Sequence, residues 1–218
     1  GEKNIKNEKD KLNPLTTYAK SKIYIEKVLK KYSDKNFRST CLRYSTAAGV
    51  SKNLRLDLVL NDFVFAAAKK KKILILSDGM AFRPLIDVED MCKSIHWALF
   101  RKKDRDNFLA VNVGRNQNNI RIKNLADRVA KIIPGTKVVF SPSKKSDSRS
   151  YKVDFSLYKS KAPNHKISKS INQIVYELYS YIKKNKAFKK VNYEKYKNLK
   201  NFENKIKKKK LTNNLYWI

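Results

Sequence analysis

Glycine is scarce in this sequence, which limits what these residues can bind. Only five of the 218 residues are glycine, and no G-x-x-G-x-x-G occurs among them. These residues therefore lack the glycine-rich loop that usually binds the pyrophosphate of a dinucleotide. Two cysteines, Cys41 and Cys92, are too few for a disulfide framework or a thiolate metal site. The longest uncharged apolar run, residues 63–68, is far shorter than the roughly 20 residues of a membrane span. We therefore expect a protein of the reducing cytoplasm without a membrane partner.

Acidic residues are also few. The chain has 19 Asp and Glu against 51 Lys and Arg, a formal charge of +32, and such a balance is typical of proteins that bind nucleic-acid phosphates. However, 41 of the cationic residues are lysine and 21 residues are asparagine. Both have A/T-rich codons, so genome composition can produce this excess on solvated surfaces. Arginine, which reads base edges, is scarce. We expect no specific nucleic-acid partner, and a non-catalytic basic chain that binds nucleic acid nonspecifically is the alternative function.

Hydrophobic periodicity alternates between helices and strands along the chain. This alternation predicts an α/β protein with parallel strand pairing. The predicted helices cover residues 15–32, 56–68, 88–100, 122–133, 168–184 and much of 188–209, and the predicted strands cover 37–44, 73–76, 108–113 and 137–140.

Tyr18 and Lys22 form a Y-x-x-x-K motif on the first predicted helix. A spacing of four residues places both side chains on one helix face, and an ammonium beside a phenol favours the phenolate that acid–base catalysis uses. The spacing alone is weak, because an ordinary amphipathic helix produces it too. Three further pairs share it: Tyr179/Lys183, Tyr193/Lys197 and Tyr196/Lys200.

The context of Tyr18 is more specific than the motif. Residues 13–22 read N-P-L-T-T-Y-A-K-S-K, and Glu26 follows one turn later. This run resembles the catalytic helix of the extended short-chain dehydrogenases/reductases, the NAD-dependent nucleotide-sugar epimerases and dehydratases. Similar blocks follow in the family's order over nearly the whole chain: C-L-R-Y-S-T-A-A-G at 41–49, R-L-D-L-V-L-N at 55–61, S-D-G at 77–79, R-P-L-I-D-V-E-D at 83–90, V-N-V-G at 111–114 and D-S-R-S-Y-K-V-D at 147–154.

The resemblance implies roles for the matched residues. Tyr18 and Lys22 would be catalytic: the tyrosine would exchange a proton with a sugar hydroxyl while a hydride passes between the sugar carbon and NAD, and the lysine would bind the nicotinamide ribose. NADP is an open alternative to NAD. Tyr18, Lys22 and Tyr44 would contact the cofactor. Arg83 would clamp the diphosphate of a nucleotide-diphosphate sugar, for which a guanidinium fork is well suited.

Five further residues are assigned to the substrate, and some depart from the family's pattern. Thr46 would line the sugar pocket where the family often has Asn, which leaves epimerase, dehydratase and reductase open. Asn61 lies in the block that leads into the substrate domain. Asp147 would contact the nucleotide ribose. Lys144 stands where an arginine is usual, so Lys144 as a point charge and Arg149 are alternative phosphate ligands.

The family places the glycine-rich loop, and a Ser or Thr partner of the catalytic tyrosine, upstream of the region matched here. We therefore expect the chain to be the C-terminal part of a longer enzyme and to be inactive by itself; a short protein with another role is the alternative. Residues 1–50 and 107–118 would be the remnant of a Rossmann-like NAD-binding domain. Residues 51–106 and 119–218 would form a smaller α/β substrate-binding domain with basic C-terminal helices. The resemblance also implies a homodimer of the parent enzyme.

The two histidines predict no metal site. His96 lies beside Trp97 on a predicted helix, and His165 lies in a polar loop after Pro163. Neither has a second His or Cys at the spacing of metal ligands. We therefore expect no metal cofactor.

Overall fold

A computed structural model describes residues 5–101, 106–145, 150–185, 188, 196–212 and 216–217. The helices are α1 (Thr17–Tyr32), α2 (Val59–Lys70), α3 (Val88–Phe100), α4 (Ile122–Ile132), α5 (Ser156–Lys161), α6 (Ile171–Lys184) and α7 (Asn198–Lys207). The strands are β1 (Ile5–Lys6), β2 (Ser39–Tyr44), β3 (Thr46–Ala48), β4 (Lys72–Ser77), β5 (Phe82–Asp87), β6 (Phe108–Val113), β7 (Asn119–Arg121), β8 (Lys137–Lys145) and β9 (Lys152–Val153). The predicted α/β class is confirmed.

Helix boundaries follow from local capping. Helix α3 covers the predicted residues because the Asp87 carboxylate caps it by accepting a hydrogen bond from the Glu89 N–H (2.9 Å). Helix α1 begins two residues later than predicted, because the Thr16 hydroxyl caps it by accepting from the Ala19 N–H (3.1 Å). Helix α7 lies within the predicted range 188–209, of which residues 189–195 lie outside the described residues. No described helix is long and apolar enough to cross a bilayer.

The chain divides into two compact units. Unit 1 comprises residues 1–47, 81–121 and 148–170, and unit 2 comprises residues 48–80, 122–147 and 171–218. These units are defined by packing alone, so the division into cofactor-binding and substrate-binding residues stays a prediction.

Unit 1 is built around a parallel pair of strands. Strands β2 and β6 run parallel in a register from Ser39↔Phe108 to Tyr44↔Val113, and α1, α3 and α5 pack against them. A second sheet has the order β3-β5-β7, with β5 and β7 antiparallel; only Ala48 of this sheet belongs to unit 2. A short parallel pair joins β1 to β9. The buried core contains Ile86, Trp97, Leu109, Val111, Val113, Tyr158 and Ala162.

Unit 2 packs helices around another parallel pair. Strands β4 and β8 run parallel from Lys72↔Lys137. Helices α2 and α4 pack on these strands and on each other, and α6 packs on both helices. The apolar residues of α6 recur at helical spacing, which explains its buried stripe. That stripe comprises Ile171, Ile174, Val175, Leu178 and Ile182.

The sequence does not predict strands β3, β5 and β7. Strands β3 and β7 have three residues each, too few for a period of two to be recognised. Strand β5 reads F-R-P-L-I-D, and its proline and charged residues hide the alternation. The parallel pairs β2–β6 and β4–β8 agree with the predicted parallel pairing, and the antiparallel pair β5–β7 is an addition to it.

Candidate active site

Helix α1 carries Tyr18 and Lys22 side by side on the surface of unit 1. The Lys22 Nζ lies 5.4 Å from the centroid of the Tyr18 ring, and Tyr18 is 72% exposed. The cap at Thr16 fixes the first turn of the helix. The structure thus places a phenol and an ammonium together where a ligand can reach both.

The two side chains border a groove of about 670 Å³ between α1 and β2. A volume of this size is within the range of small-molecule and cofactor sites. Cys41 contributes to the wall, and burial raises the pKa of its thiol, so it stays protonated and favours packing over nucleophilic chemistry. The lining residues are Leu12, Asn13, Pro14, Tyr18, Ala19, Lys22, Ile23, Ile25, Glu26, Leu29, Thr40, Cys41, Leu42, Arg43 and Tyr44.

A half-buried ion pair holds the two walls of the groove together. The Arg43 guanidinium donates to both carboxylate oxygens of Glu26, with Nε 2.9 Å from Oε2, and its Nη1 donates to the Glu8 carbonyl (3.3 Å). The hydrogen bonds to Glu26 raise the pKa of Arg43 above its ordinary value. A bidentate pair of this kind fixes the relative orientation of the two side chains as well as the distance between them. Glu26 therefore orients the helix that carries Tyr18, a role the sequence analysis did not assign.

Tyr44 lies in the groove lining, but its hydroxyl is already engaged inside unit 1. The hydroxyl is 2.9 Å from the Ser94 Oγ and donates to the Met91 carbonyl (3.3 Å). Burial raises the pKa of Tyr44, so this phenol keeps its proton. The ring can form a wall for the predicted nicotinamide site, while the hydroxyl anchors β2 to α3.

Arg83 belongs to a cationic and aromatic cluster around β5. Its Nη1 donates to the Phe82 carbonyl (2.8 Å), and its Cζ lies 5.8 Å from the centroid of the Tyr151 ring. The Phe82 ring has the Arg121 Cζ at 4.9 Å and the Lys152 Nζ at 4.3 Å. Three cations around two rings produce a positive potential that favours an anion with several charges, such as a diphosphate.

The other predicted substrate residues are spread over both units. Thr46 lies in β3, the neighbour of β5 in the second sheet. Asn61 belongs to unit 2 and is 97% buried; its Oδ1 accepts from the Gly49 N–H (3.0 Å) and its Nδ2 donates to the Arg55 carbonyl (3.0 Å). This asparagine therefore holds a turn. Lys144 lies in β8, and Asp147 and Arg149 lie outside the described residues.

The acidic end of the R-P-L-I-D-V-E-D block has a positioning role that the sequence does not reveal. Lys169 Nζ lies 2.8 Å from Glu89 Oε2 and 3.4 Å from Asp87 Oδ1. The fully buried Asp90 accepts from the backbone N–H groups of Ser168 (3.1 Å) and Lys169 (2.9 Å). These contacts fix the start of α3, and with it the end of the strand that carries Arg83.

The sequence model of the NAD dependent epimerase/dehydratase family matches residues 1–114, which is more than half of the chain. This chain belongs to the NAD-dependent epimerase/dehydratase family. The matched residues include Tyr18, Lys22, Tyr44 and Arg83, so the groove beside α1 and the start of the Arg83 cluster lie within the family region.

Solved structures with the same fold include dehydratases and epimerases of nucleotide sugars. The dTDP-glucose 4,6-dehydratase of Bacillus anthracis, in complex with NAD, has a TM-score of 0.72 at 19% identity, over 86% of this chain and 58% of that one. The UDP-Glc/GlcNAc 4-epimerase of Campylobacter jejuni has a TM-score of 0.65 at 22% identity, over 83% and 60%. The UDP-glucuronic acid 4-epimerase of Bacillus cereus, in complex with UDP-glucuronic acid and NAD, has a TM-score of 0.69 at 21% identity, over 83% and 56%. The chain therefore spans about three fifths of the length of these structures.

Proposed function

We propose that this chain contributes the catalytic helix of an NAD-dependent epimerase or dehydratase that acts on a nucleotide-diphosphate sugar. The observation that carries the proposal is the placement of Tyr18 and Lys22 on one face of α1, bordering a groove of cofactor size within the family region. The structural neighbours that act on dTDP- and UDP-linked sugars support the same substrate class.

Tyr18 is the acid–base group of the proposal. Its side chain is exposed and borders the groove, where its hydroxyl can take the proton from a sugar hydroxyl and later return it. Lys22, with its ammonium 5.4 Å from the ring centroid, is the group that would bind the nicotinamide ribose beside the tyrosine. NAD, when bound, supplies the hydride acceptor. The residues that would hold its nicotinamide end are Tyr18, Lys22 and the Tyr44 ring.

Arg83 is the substrate-binding group of the proposal. Its guanidinium is permanently charged and can bind two phosphate oxygens at once. Tyr151 beside it offers a flat ring, and Arg121 and Lys152 add positive charge on the adjacent Phe82. The cluster is therefore suited to the diphosphate, whereas Tyr18 is suited to the reacting sugar hydroxyl.

The proposal concerns the enzyme as a whole. The chain spans about three fifths of the solved structures that it matches, and its sequence contains no glycine-rich dinucleotide loop. Two aromatic side chains of α1 outside the groove lining, Tyr24 and Tyr32, are exposed. They support the homodimer that the resemblance implies, which stays a prediction.

The experiment compares Arg83→Ala with the wild type in the enzyme that contains this chain, assayed with NAD on UDP- and dTDP-linked sugars. Loss of charge-assisted hydrogen bonds to the diphosphate should cost about 1.5–3 kcal/mol and raise KM by about 10- to 150-fold, with NAD affinity unchanged. Arg128→Ala, at an exposed position of α4, is the matched control and should leave KM unchanged. No turnover of any nucleotide sugar by the wild-type enzyme, or an unchanged KM in Arg83→Ala, would contradict the proposal.

A further inference from the structure

A second cavity of unit 1 lies between the turn after β6 and the segment 155–167, which contains α5. All of its described lining residues belong to unit 1, and none of them lines the groove beside α1. Its volume is about 340 Å³, at the small end of the range for small-molecule sites. The cavity therefore has room for a compact ligand, and the catalytic proposal does not use it.

The floor of this cavity is apolar and held in place. Phe155, Tyr158 and Ala162 line it and are almost completely buried. Phe155 packs so closely on Gly114 that a Cβ at this glycine would lie 2.6 Å from the Phe155 Cζ. The Tyr158 hydroxyl donates to the His165 carbonyl (2.8 Å), and burial raises the pKa of Tyr158 to about 12, so it adds no charge. The floor is thus formed before a ligand arrives.

The rim of the cavity carries three cations. Arg115 is half-buried, and its Nη1 donates to the Ser168 carbonyl (3.2 Å). A guanidinium has five N–H donors, so this bond orients the group and leaves donors for a ligand. Lys159 and Lys166 line the same cavity and are exposed. None of the ion pairs between described residues includes any of these three cations.

The carboxylate next to the cavity is already engaged. The Asp154 Oδ1 accepts from the Ser156 N–H (3.1 Å), the Ser156 hydroxyl (2.7 Å) and the Asn116 Nδ2 (3.2 Å). The hydrogen bonds from Ser156 and Asn116 hold the pKa of Asp154 below its ordinary value. Asp154 is outside the lining, and no described lining residue is acidic. A half-buried guanidinium without a counter-charge favours an anionic ligand.

We propose that this cavity binds a small aromatic oxyanion, in which a carboxylate or phosphate group is attached to one or two rings. The Arg115 guanidinium would hold two oxygens of the anion, the geometry for which its fork is suited. Lys159 and Lys166 would add positive charge at the rim. The rings of the ligand would pack on Phe155 and Tyr158 in the floor. This binding does not depend on the proposed sugar chemistry.

The test is a calorimetric titration of the enzyme that contains this chain, at about 150 mM salt so that attraction to the basic surface is screened. We expect 1-naphthoate or 1-naphthyl phosphate to bind with one molecule per chain. Binding should be at least about tenfold tighter than that of 1-naphthamide, which lacks the charge, or of acetate, which lacks the rings.

Two matched variants test the anchor. Arg115→Gln should weaken binding of the oxyanion probe by about tenfold or more, as expected for loss of a charge-assisted hydrogen bond. Arg128→Gln removes the same charge at an exposed position of α4, outside the cavity, and should bind the probe as the wild type does.

A measurement on the wild-type protein locates the probe even if Arg115→Gln does not fold. The methyl NMR signals of Ala162 and Ile167, which line the cavity, should shift as 1-naphthoate is added. Those of Ile73 and Ile75, buried in unit 2, should not. The proposal is overturned if neither oxyanion probe binds, if 1-naphthamide binds as tightly, if the two arginine variants bind alike, or if the methyl signals of Ala162 and Ile167 stay in place.

Discussion

Asp90 offers a sharp test of how unit 1 holds its site. The side chain is fully buried, and its Oδ2 accepts from the backbone N–H groups of Ser168 and Lys169 while its Oδ1 accepts from the Lys93 Nζ (2.8 Å). Replacing Asp90 by alanine removes the buried carboxylate that accepts hydrogen bonds from both backbone N–H groups. The segment at 168–169 should then detach from α3.

The magnitude follows from these contacts. A hydrogen bond to a charged group contributes about 1.5–3 kcal/mol, so loss of two should cost about 3–6 kcal/mol in Asp90→Ala. Asp90→Asn keeps one carbonyl oxygen as acceptor and should cost about 1–3 kcal/mol, because charge assistance is lost. The Lys93 ammonium is 44% exposed, so its ion pair is screened and Lys93→Ala should cost less than about 1 kcal/mol.

Two readouts separate this local effect from global unfolding. Denaturant titration followed by circular dichroism gives the free energy of unfolding, and amide hydrogen exchange at Ser168 and Lys169 reports the local opening. In both readouts we expect the largest effect in Asp90→Ala, a smaller effect in Asp90→Asn and the smallest in Lys93→Ala. A loss below about 1 kcal/mol in Asp90→Ala, with unchanged exchange at the two amides, would refute the reasoning.

Two further predictions concern charge. Burial raises the pKa of Asp62. Its Oδ1 has no hydrogen-bond partner within the described residues. A carboxyl group whose pKa is raised by folding destabilises the folded state once it is ionised. Asp62→Asn should therefore raise the melting temperature at pH 7, and the gain should vanish below about pH 3.9, the ordinary pKa of aspartate. Asp127→Asn, at an exposed position, is the control. An equal gain of Asp62→Asn at both pH values would contradict burial of the charge as the cause. Binding of the chain to DNA should be independent of sequence and collapse between about 50 and 200 mM salt, because counterion release drives it; a gel-shift complex on one sequence that persists at the higher salt would contradict this.

Much of the fold could be predicted because the signals are local. Helix α3 has an acidic cap at Asp87 and apolar residues at helical spacing, and β6 is a short apolar run that ends at Gly114. Strand β5 could not be predicted, because its identity as a strand comes from pairing with β7, about 35 residues later, rather than from its own pattern.

The candidate site also has one part that the local sequence predicts and one part that it does not. Tyr18 and Lys22 are four residues apart, so helix geometry alone brings them together. The pair Glu26–Arg43 joins residues that are 17 positions apart. Nothing in the local sequence indicates this contact, since it depends on how α1 meets β2.

The most direct test of the central claim is the turnover number of Tyr18→Phe in the enzyme that contains this chain. The substitution removes only the hydroxyl, and the ring is 72% exposed, so folding should be unaffected. We predict that kcat falls by about 10²–10⁴, as expected for a general acid–base group, while the dissociation constant of the nucleotide sugar stays the same. Tyr179→Phe, in another Y-x-x-x-K motif on α6, should leave kcat unchanged. A kcat within about twofold of the wild type in Tyr18→Phe, with activity abolished in Tyr179→Phe, would contradict the account.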